Sequence, residues 1–245
     1  MPFTFSHPAV VLPFNFLPKK WFSLTALVAG SMMPDFEYFI RMKSGTMYGH
    51  SWPGLFWFDL PTALLLIWIY NSVVRDKMID HLPPYFNKRL SAFKNSDTPF
   101  FKDRWVVIII SILIGGATHI IWDSFTHWDG YFAMRIPFIM TWVPVGHHHG
   151  IPVFAILQLV SSLVGAIAIL IVICMLPVGK RTGSGHFILF WMKIIAIMIP
   201  IVIIRFLHGV KRWEVESVID TIISGMLIGL IIISAITPAK KVEAA

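Results

Sequence analysis

Long apolar runs separated by short polar stretches set the plan of this chain. The runs begin at Trp21, Gly54, Trp105, Ile151, Phe187 and Val218 and continue to about Ile40, Val74, Ile121, Met175, Leu207 and Ile236. Each approaches or exceeds the roughly 20 residues that a helix needs to cross a bilayer. In hydrocarbon a backbone must satisfy its own polar groups, so such runs read as helices. The expected fold is all-α: a polytopic transmembrane helical bundle of about six membrane helices. Residues 1–20 precede the first run and include Pro2, Pro8, Pro13 and Pro18, which argue against a long continuous helix there. A short helix from about Ala9 to Leu17, ending at Pro18, fits the pattern and could be re-entrant. The whole chain, 1–245, reads as a single integral membrane domain. Its polar chemistry lies in about 1–130, and 151–238 add further membrane helices.

Composition agrees with the pattern. Of 245 residues, 56% are hydrophobic and only 13% charged, far too apolar for a soluble domain. The start, Met-Pro-Phe-Thr-Phe-Ser-His, has no charged region before an apolar one, so no removable signal peptide is expected. The formal charge of +7 could suggest nucleic acid. The Lys and Arg residues instead gather in loops, which is the pattern of membrane topology. Residues 75–104 contain Arg75, Lys77, Lys88, Arg89, Lys94, Lys102 and Arg104, the strongest cytoplasmic signal in the chain. Lys180, Arg181, Lys240 and Lys241 then fall on the same inner side, whereas Lys211 and Arg212 fall outside, against the trend. The single cysteine, Cys174, lies in an apolar run, which excludes disulfides and Cys-based zinc sites.

Candidate chemistry enters with the stretch Thr118 to His127. On a helix, His119, Asp123 and His127 form one polar ridge, because positions four apart lie one above another. Neighbours on that ridge can share a metal through imidazole nitrogen and carboxylate oxygen. Three in a row suit two adjacent metals at least as well as one. Ionisable groups beside hydrocarbon are costly and need such a reason. Further acids occur where proline interrupts an apolar run. Pro34 is expected to break or kink the first membrane helix where Asp35 and Glu37 appear, and Asp59 precedes Pro61. His50 lies in a polar loop, and His147 to His149 form a metal-competent tract whose side chains cannot all point one way. Arg205 and His208 share a helix face and could bind an anionic headgroup. Ser161 to Gly165 supply small residues for close helix packing. The topology collects most of these groups at the outer, extracytoplasmic ends of the helices, with His7 the exception.

The segments MPFTFSHPA, GSMMPDFEYF, GHSWPGLFWFDLP, THIIWDSFTH and LQLVSSLVG, in that order, resemble a bacterial family of uncharacterised integral membrane proteins. That family is similar in motif order to the YdjM-type inner-membrane metal-dependent hydrolases. The likeness covers Met1 to about Gly165. It implies an all-helical fold in the bacterial inner membrane. It also implicates His7, Asp35, His50, His119 and Asp123 as metal ligands, with Asp59 and His127 as further candidates.

A His and Asp ligand set suits zinc, as one or two ions, with manganese or iron as alternatives. A metal with an open position acidifies a coordinated water. Asp59 or Glu37 could serve as general base and Arg205 could stabilise an anion. The expected activity is metal-dependent hydrolysis of an amphiphilic or lipid-linked phosphoester, ester or amide at the outer membrane interface. Membrane lipids are the expected partners, and nucleic acid is not. The alternatives are a divalent-metal or proton-coupled transporter, and a structural protein whose metal staples helices together.

Overall fold

A computed structural model of the chain describes residues 3–18, 20–45, 47–94, 104–146, 149–183, 186–208 and 215–238. The N-terminal segment winds through a 3-10 turn, Thr4–Ser6, a short helix α1, Pro8–Val11, and a second 3-10 turn, Leu12–Phe16. The single helix expected over Ala9 to Leu17 is thus divided. Pro8 and Pro13 each lack an N–H, and each sits at the start of its own turn, where that donor is not needed.

Helix α2, Leu24–Arg41, follows and runs unbroken through Pro34. Of the break or kink expected at Pro34, the break is absent, although the proline still removes one backbone donor. The long helical stretch α3, Trp52–Asp80, contains two wide π turns, Leu55–Asp59 and Tyr70–Val74. The first lies just before Pro61, whose ring would clash with the carbonyl four residues earlier in a regular helix. A short helix α4, Pro84–Leu90, precedes α5, Trp105–Thr126. A two-stranded antiparallel hairpin then joins β1, Trp142–Val145, to β2, His149–Pro152. Residues 149–152 are thus paired as strand, and the helix expected from Ile151 begins two residues later. The remaining helices are α6, Val153–Met175, α7, Phe187–Leu207, and α8, Val215–Ile236.

Among the described residues, five helices, α3, α5, α6, α7 and α8, are long and apolar enough to cross a membrane. The protein is an all-α, multi-pass membrane protein with a small surface hairpin. The first of the six expected spans is the exception. Helix α2 has 18 residues and carries Asp35, Glu37 and Arg41, which lower its apolarity. Asp35 and Glu37 are buried within the protein instead.

The chain forms two compact units that interleave along the sequence. The first comprises Met1–Phe36, Met47–Leu64 and Pro99–Val172. Its centre is the parallel packing of α2 on α5 at a constant offset. The Ser23 amide donates to Ser111 Oγ at 2.9 Å, and the Ser31 carbonyl meets His119 Nδ1 at 2.7 Å. Glycine makes the approach possible. A Cβ on Gly30 would run into the backbone of Ile112, and one on Gly115 into the carbonyl of Leu27. The N-terminal segment rests on α6: Phe3 N–H donates to Ser162 Oγ at 2.9 Å and Ser6 Oγ donates to the Ser162 carbonyl at 2.7 Å. Gly165 leaves room for it, since a Cβ there would lie 2.8 Å from the Ser6 carbonyl.

The second unit comprises Glu37–Thr46, Leu65–Thr98 and Ile173–Ala245. Here α7 and α8 pack antiparallel around Phe190, Ile194 and Ile233, with Gly229 against Ile194 and Gly225 against Met198. Ser224 Oγ donates to the Phe39 carbonyl at 2.6 Å, which ties α8 to the end of α2 within this unit.

Candidate metal centre

The offset between α2 and α5 decides the chemistry. Pairing residue 23 with 111 and 31 with 119 carries Asp35 to the level of Asp123, so both helices deliver a carboxylate to one place. His119 lies one turn earlier on α5 and faces the same spot. His50 arrives from the loop before α3. That loop can press on α2 because Gly49 has no side chain, and a Cβ there would lie 2.7 Å from the Pro34 carbonyl. The side chains of Asp35, His50, His119 and Asp123 each offer one ligand atom, and the four atoms all lie within 4.8 Å of one another.

Their separations are informative. His50 Nε2 lies 3.3 Å from Asp35 Oδ1 and 3.2 Å from Asp123 Oδ2. His119 Nε2 lies 3.5 Å from Asp35 Oδ1 and 3.3 Å from Asp123 Oδ2. The two Nε2 atoms are 3.3 Å apart. Four ligands about 2.0 Å from a tetrahedral centre lie about 3.3 Å from one another. These five distances match five of the six edges of such a figure, and the sixth, between the two carboxylate oxygens, falls within the 4.8 Å that encloses the group. Asp35 Oδ1 and Asp123 Oδ2 are buried, and the groups that approach them are the imidazoles of the site itself. Buried carboxylate charge is expensive to leave poorly compensated, and a cation at the common point satisfies both oxygens together. The group can hold a metal ion.

Neighbouring atoms fix the ligands. A carbonyl can only accept, so His119 Nδ1 carries the proton donated to Ser31 and its Nε2 presents a lone pair to the site. Thr4 Oγ1 donates to Asp35 Oδ2 at 2.6 Å, which leaves Oδ1 for the centre. Thr4 is a residue that sequence reasoning misses. Its only signal is its position three residues before His7 in a short turn.

The other candidate residues fall in several places. His7 is buried and stacks on His119 with ring centroids 3.7 Å apart. Its Nε2 lies 3.5 Å from Asp123 Oδ1, the oxygen turned away from the cluster. Burial first, and the adjacent His119 imidazole second, push the His7 pKa down to about 3, so this imidazole is a neutral base at ordinary pH. Burial likewise pulls on His50, but its hydrogen bonds with Asp123 and Asp35 outweigh that, and its pKa is raised. His127 caps the end of α5. Its Nδ1 donates to the Asp123 carbonyl at 3.1 Å and lies 3.7 Å from Asp123 Oδ2, so it borders the four-ligand group and does not join it. Asp59 is fully buried in the first π turn, close to Gly49, and is likewise outside the group. Glu37 and Arg205 belong to the second unit. There Glu37 Oε1 accepts from Arg41 Nη1 at 2.9 Å, and Arg205 Nη2 donates to the Met42 carbonyl at 3.4 Å. His149 lies in β2, and His147 and His148 are outside the described residues, as are Lys211 and Arg212.

A cavity of about 250 Å³ opens beside His7. Its walls are mostly apolar and come from α1, Trp122 and the Ser161 to Ala168 face of α6. Ser161 and Ser162 turn their hydroxyls to the Gln158 carbonyl, as residues satisfied within their own helix do.

A family model described as a domain of unknown function (DUF4184) matches residues 1–235. The chain belongs to this family. The DUF4184 match takes in both units, including all four clustered residues, the N-terminal segment and helices α6 to α8. No curated protein and no solved structure gives a significant match to this DUF4184 chain.

Proposed function

We propose that this protein is a membrane-embedded, metal-dependent hydrolase acting on an amphiphilic substrate, with zinc held by Asp35, His50, His119 and Asp123. One observation carries the reading. Two imidazole nitrogens and two carboxylate oxygens converge at tetrahedral spacing. Closed structural zinc sites are built chiefly from cysteine, whereas His with carboxylate is the donor set of hydrolytic sites; with four protein ligands, hydrolysis would require the site to admit a water as a fifth ligand, which the staple reading below does not need. When bound, the metal supplies Lewis acidity at a pH where the free side chains could not. The similarity in motif order to YdjM-type proteins supports the same class.

The remaining roles fall to the chain's own residues. Asp35 and Asp123 offset the charge of a divalent ion. His7, neutral and with Nε2 3.5 Å from Asp123 Oδ1, can steady that carboxylate and offer a hydrogen bond to a bound substrate. The apolar cavity beside His7 is suited to an acyl or isoprenoid portion, and its walls exclude water from that portion. This assignment gives no acid-base or anion-binding role to Asp59, Glu37 and Arg205. The basic stretch 75–104 supports a cytoplasmic start for α5 in the bacterial inner membrane, with the metal centre toward its extracytoplasmic end.

A second reading rests on the same geometry. The ligands come from three separate segments, so a metal there would also tie those segments together. Purified protein, stripped with chelator and refilled with zinc, should be assayed on lipid-linked phosphoesters and esters. Turnover that disappears with chelator, returns with zinc and falls about 10–100-fold in His7→Ala at full metal occupancy supports hydrolysis. No turnover on any substrate, with chelation only lowering the melting temperature, supports the staple.

A further inference from the structure

A second cavity, of about 280 Å³, lies in the second unit where the end of α3, the start of α7 and the end of α8 meet. Its polar lining is His81, His186, Lys193 and Thr237, so three of the four polar side chains carry nitrogen. No carboxylate contributes to the lining, and Phe190, Ile233 and Ile236 form much of the remainder. His81 is held in place from both sides. Its ring stacks on Phe190 at 4.2 Å and an 11° tilt, and its carbonyl accepts from Trp191 Nε1 at 2.8 Å. Lys193 is the unusual member. It lies within the apolar span Phe187–Leu207, six residues past its start, which is about 9 Å along the axis. Among the described residues it has no ion pair. A lysine at that depth can reach the interface with its ammonium while its stem stays in hydrocarbon, but its charge then wants a counter-charge at headgroup level.

We propose that this cavity binds the phosphate headgroup of an anionic phospholipid, with Lys193 as its counter-charge and His186 at the rim. Charge complementarity selects an anion, because three nitrogen-bearing side chains face the cavity with no acid among them. The surroundings select a lipid over a free anion. Ile188, Met192 and Ile236 beside the cavity are largely exposed apolar side chains on helices apolar enough to span the membrane, so acyl chains attached to the bound phosphate can lie against them. This site stands apart from the metal-centre reading and needs no catalytic activity.

Native mass spectrometry of the full chain released from micelles holding equal phosphatidylglycerol and phosphatidylcholine tests the proposal. The expected result is selective retention of phosphatidylglycerol, reduced about fivefold in Lys193→Gln and preserved in Lys193→Arg. Lys193 is exposed, so its substitution leaves the core intact, and an unchanged melting temperature in phosphatidylcholine confirms that. Lys180→Gln, an exposed loop change, should leave retention as it was. Equal retention of the two lipids overturns the proposal, as does a Lys193→Gln variant that retains phosphatidylglycerol fully. Equal losses in Lys180→Gln and Lys193→Gln would mean diffuse attraction to basic loops and no site. Displacement of the lipid by millimolar inorganic phosphate would assign the cavity to a free anion instead.

Discussion

His50 Nε2 and His119 Nε2 face each other at 3.3 Å, and the His119 proton is committed to the Ser31 carbonyl on the far side of its ring. With a carboxylate oxygen within 3.5 Å of each, this is the arrangement of two ligands sharing one cation. Purified protein should therefore contain about one transition-metal ion per chain by elemental mass spectrometry. Asp123→Ala should remove most of it, because that one residue touches both imidazoles. Asp59→Asn, outside the cluster, should keep it. Full occupancy in Asp123→Ala would place the metal elsewhere.

Thr4 offers a finer test. Its hydroxyl only orients Asp35, so Thr4→Val should weaken metal affinity by about 10–100-fold without changing the stoichiometry at saturation. Competition with a chromogenic chelator reads this directly. An affinity equal to that of the parent protein would mean that the 2.6 Å contact does not tune the ligand.

The helix register can be tested without touching a ligand. A methyl group at Gly30 or Gly115 meets backbone that cannot move aside, so α2 and α5 must separate. Gly30→Ala and Gly115→Ala should each cost about 1–3 kcal/mol and lose metal in parallel. Thermal melts and metal analysis of the same preparations check the coupling. Destabilised protein with normal metal content would show that the site does not depend on this crossing.

Acid should compete with the metal earlier than an ordinary histidine predicts. The His50 pKa is raised because its hydrogen bonds with Asp123 and Asp35 outweigh burial, and a ligating imidazole must be neutral. As pH falls through that raised value, a proton occupies Nε2 and affinity declines. Zinc affinity measured between about pH 8 and pH 5.5 should fall already above about 6.5. A flat profile over that range would contradict the arrangement.

The five apolar spans are legible in the sequence because membrane helices need only length and apolarity. The α5 ridge is legible because i, i+4 spacing is local. Asp35 and His50 stand out as ionisable residues in or near apolar sequence. Their approach to His119 is not local, and it depends on Gly30, Gly49 and Gly115, whose role shows only once two backbones meet. The missing break at Pro34 has a similar cause. Proline disfavours a helix locally, but the contacts that Ser31 and Asp35 make on either side hold this one in place. His127 misleads because sequence spacing cannot reveal that its Nδ1 is taken by the Asp123 carbonyl. Glu37 pairs with Arg41 one turn later on the same helix, a contact that the i, i+4 spacing does make legible.

The seating of the N-terminal segment on α6 carries a consequence for biogenesis. Phe3 and Ser162 are separated by 159 positions. Phe3 and Ser6 are therefore synthesised long before α6, the helix they rest on. Until then Thr4 and His7 have no fixed place beside α2 and α5. Metal captured before that point would meet a half-built shell, with Asp35 unsteered and the flank that His7 covers open to water. The chain thus couples completion of its membrane insertion to completion of the shell around its metal centre, so a product terminated before α6 would carry all four ligands and still hold its metal more weakly.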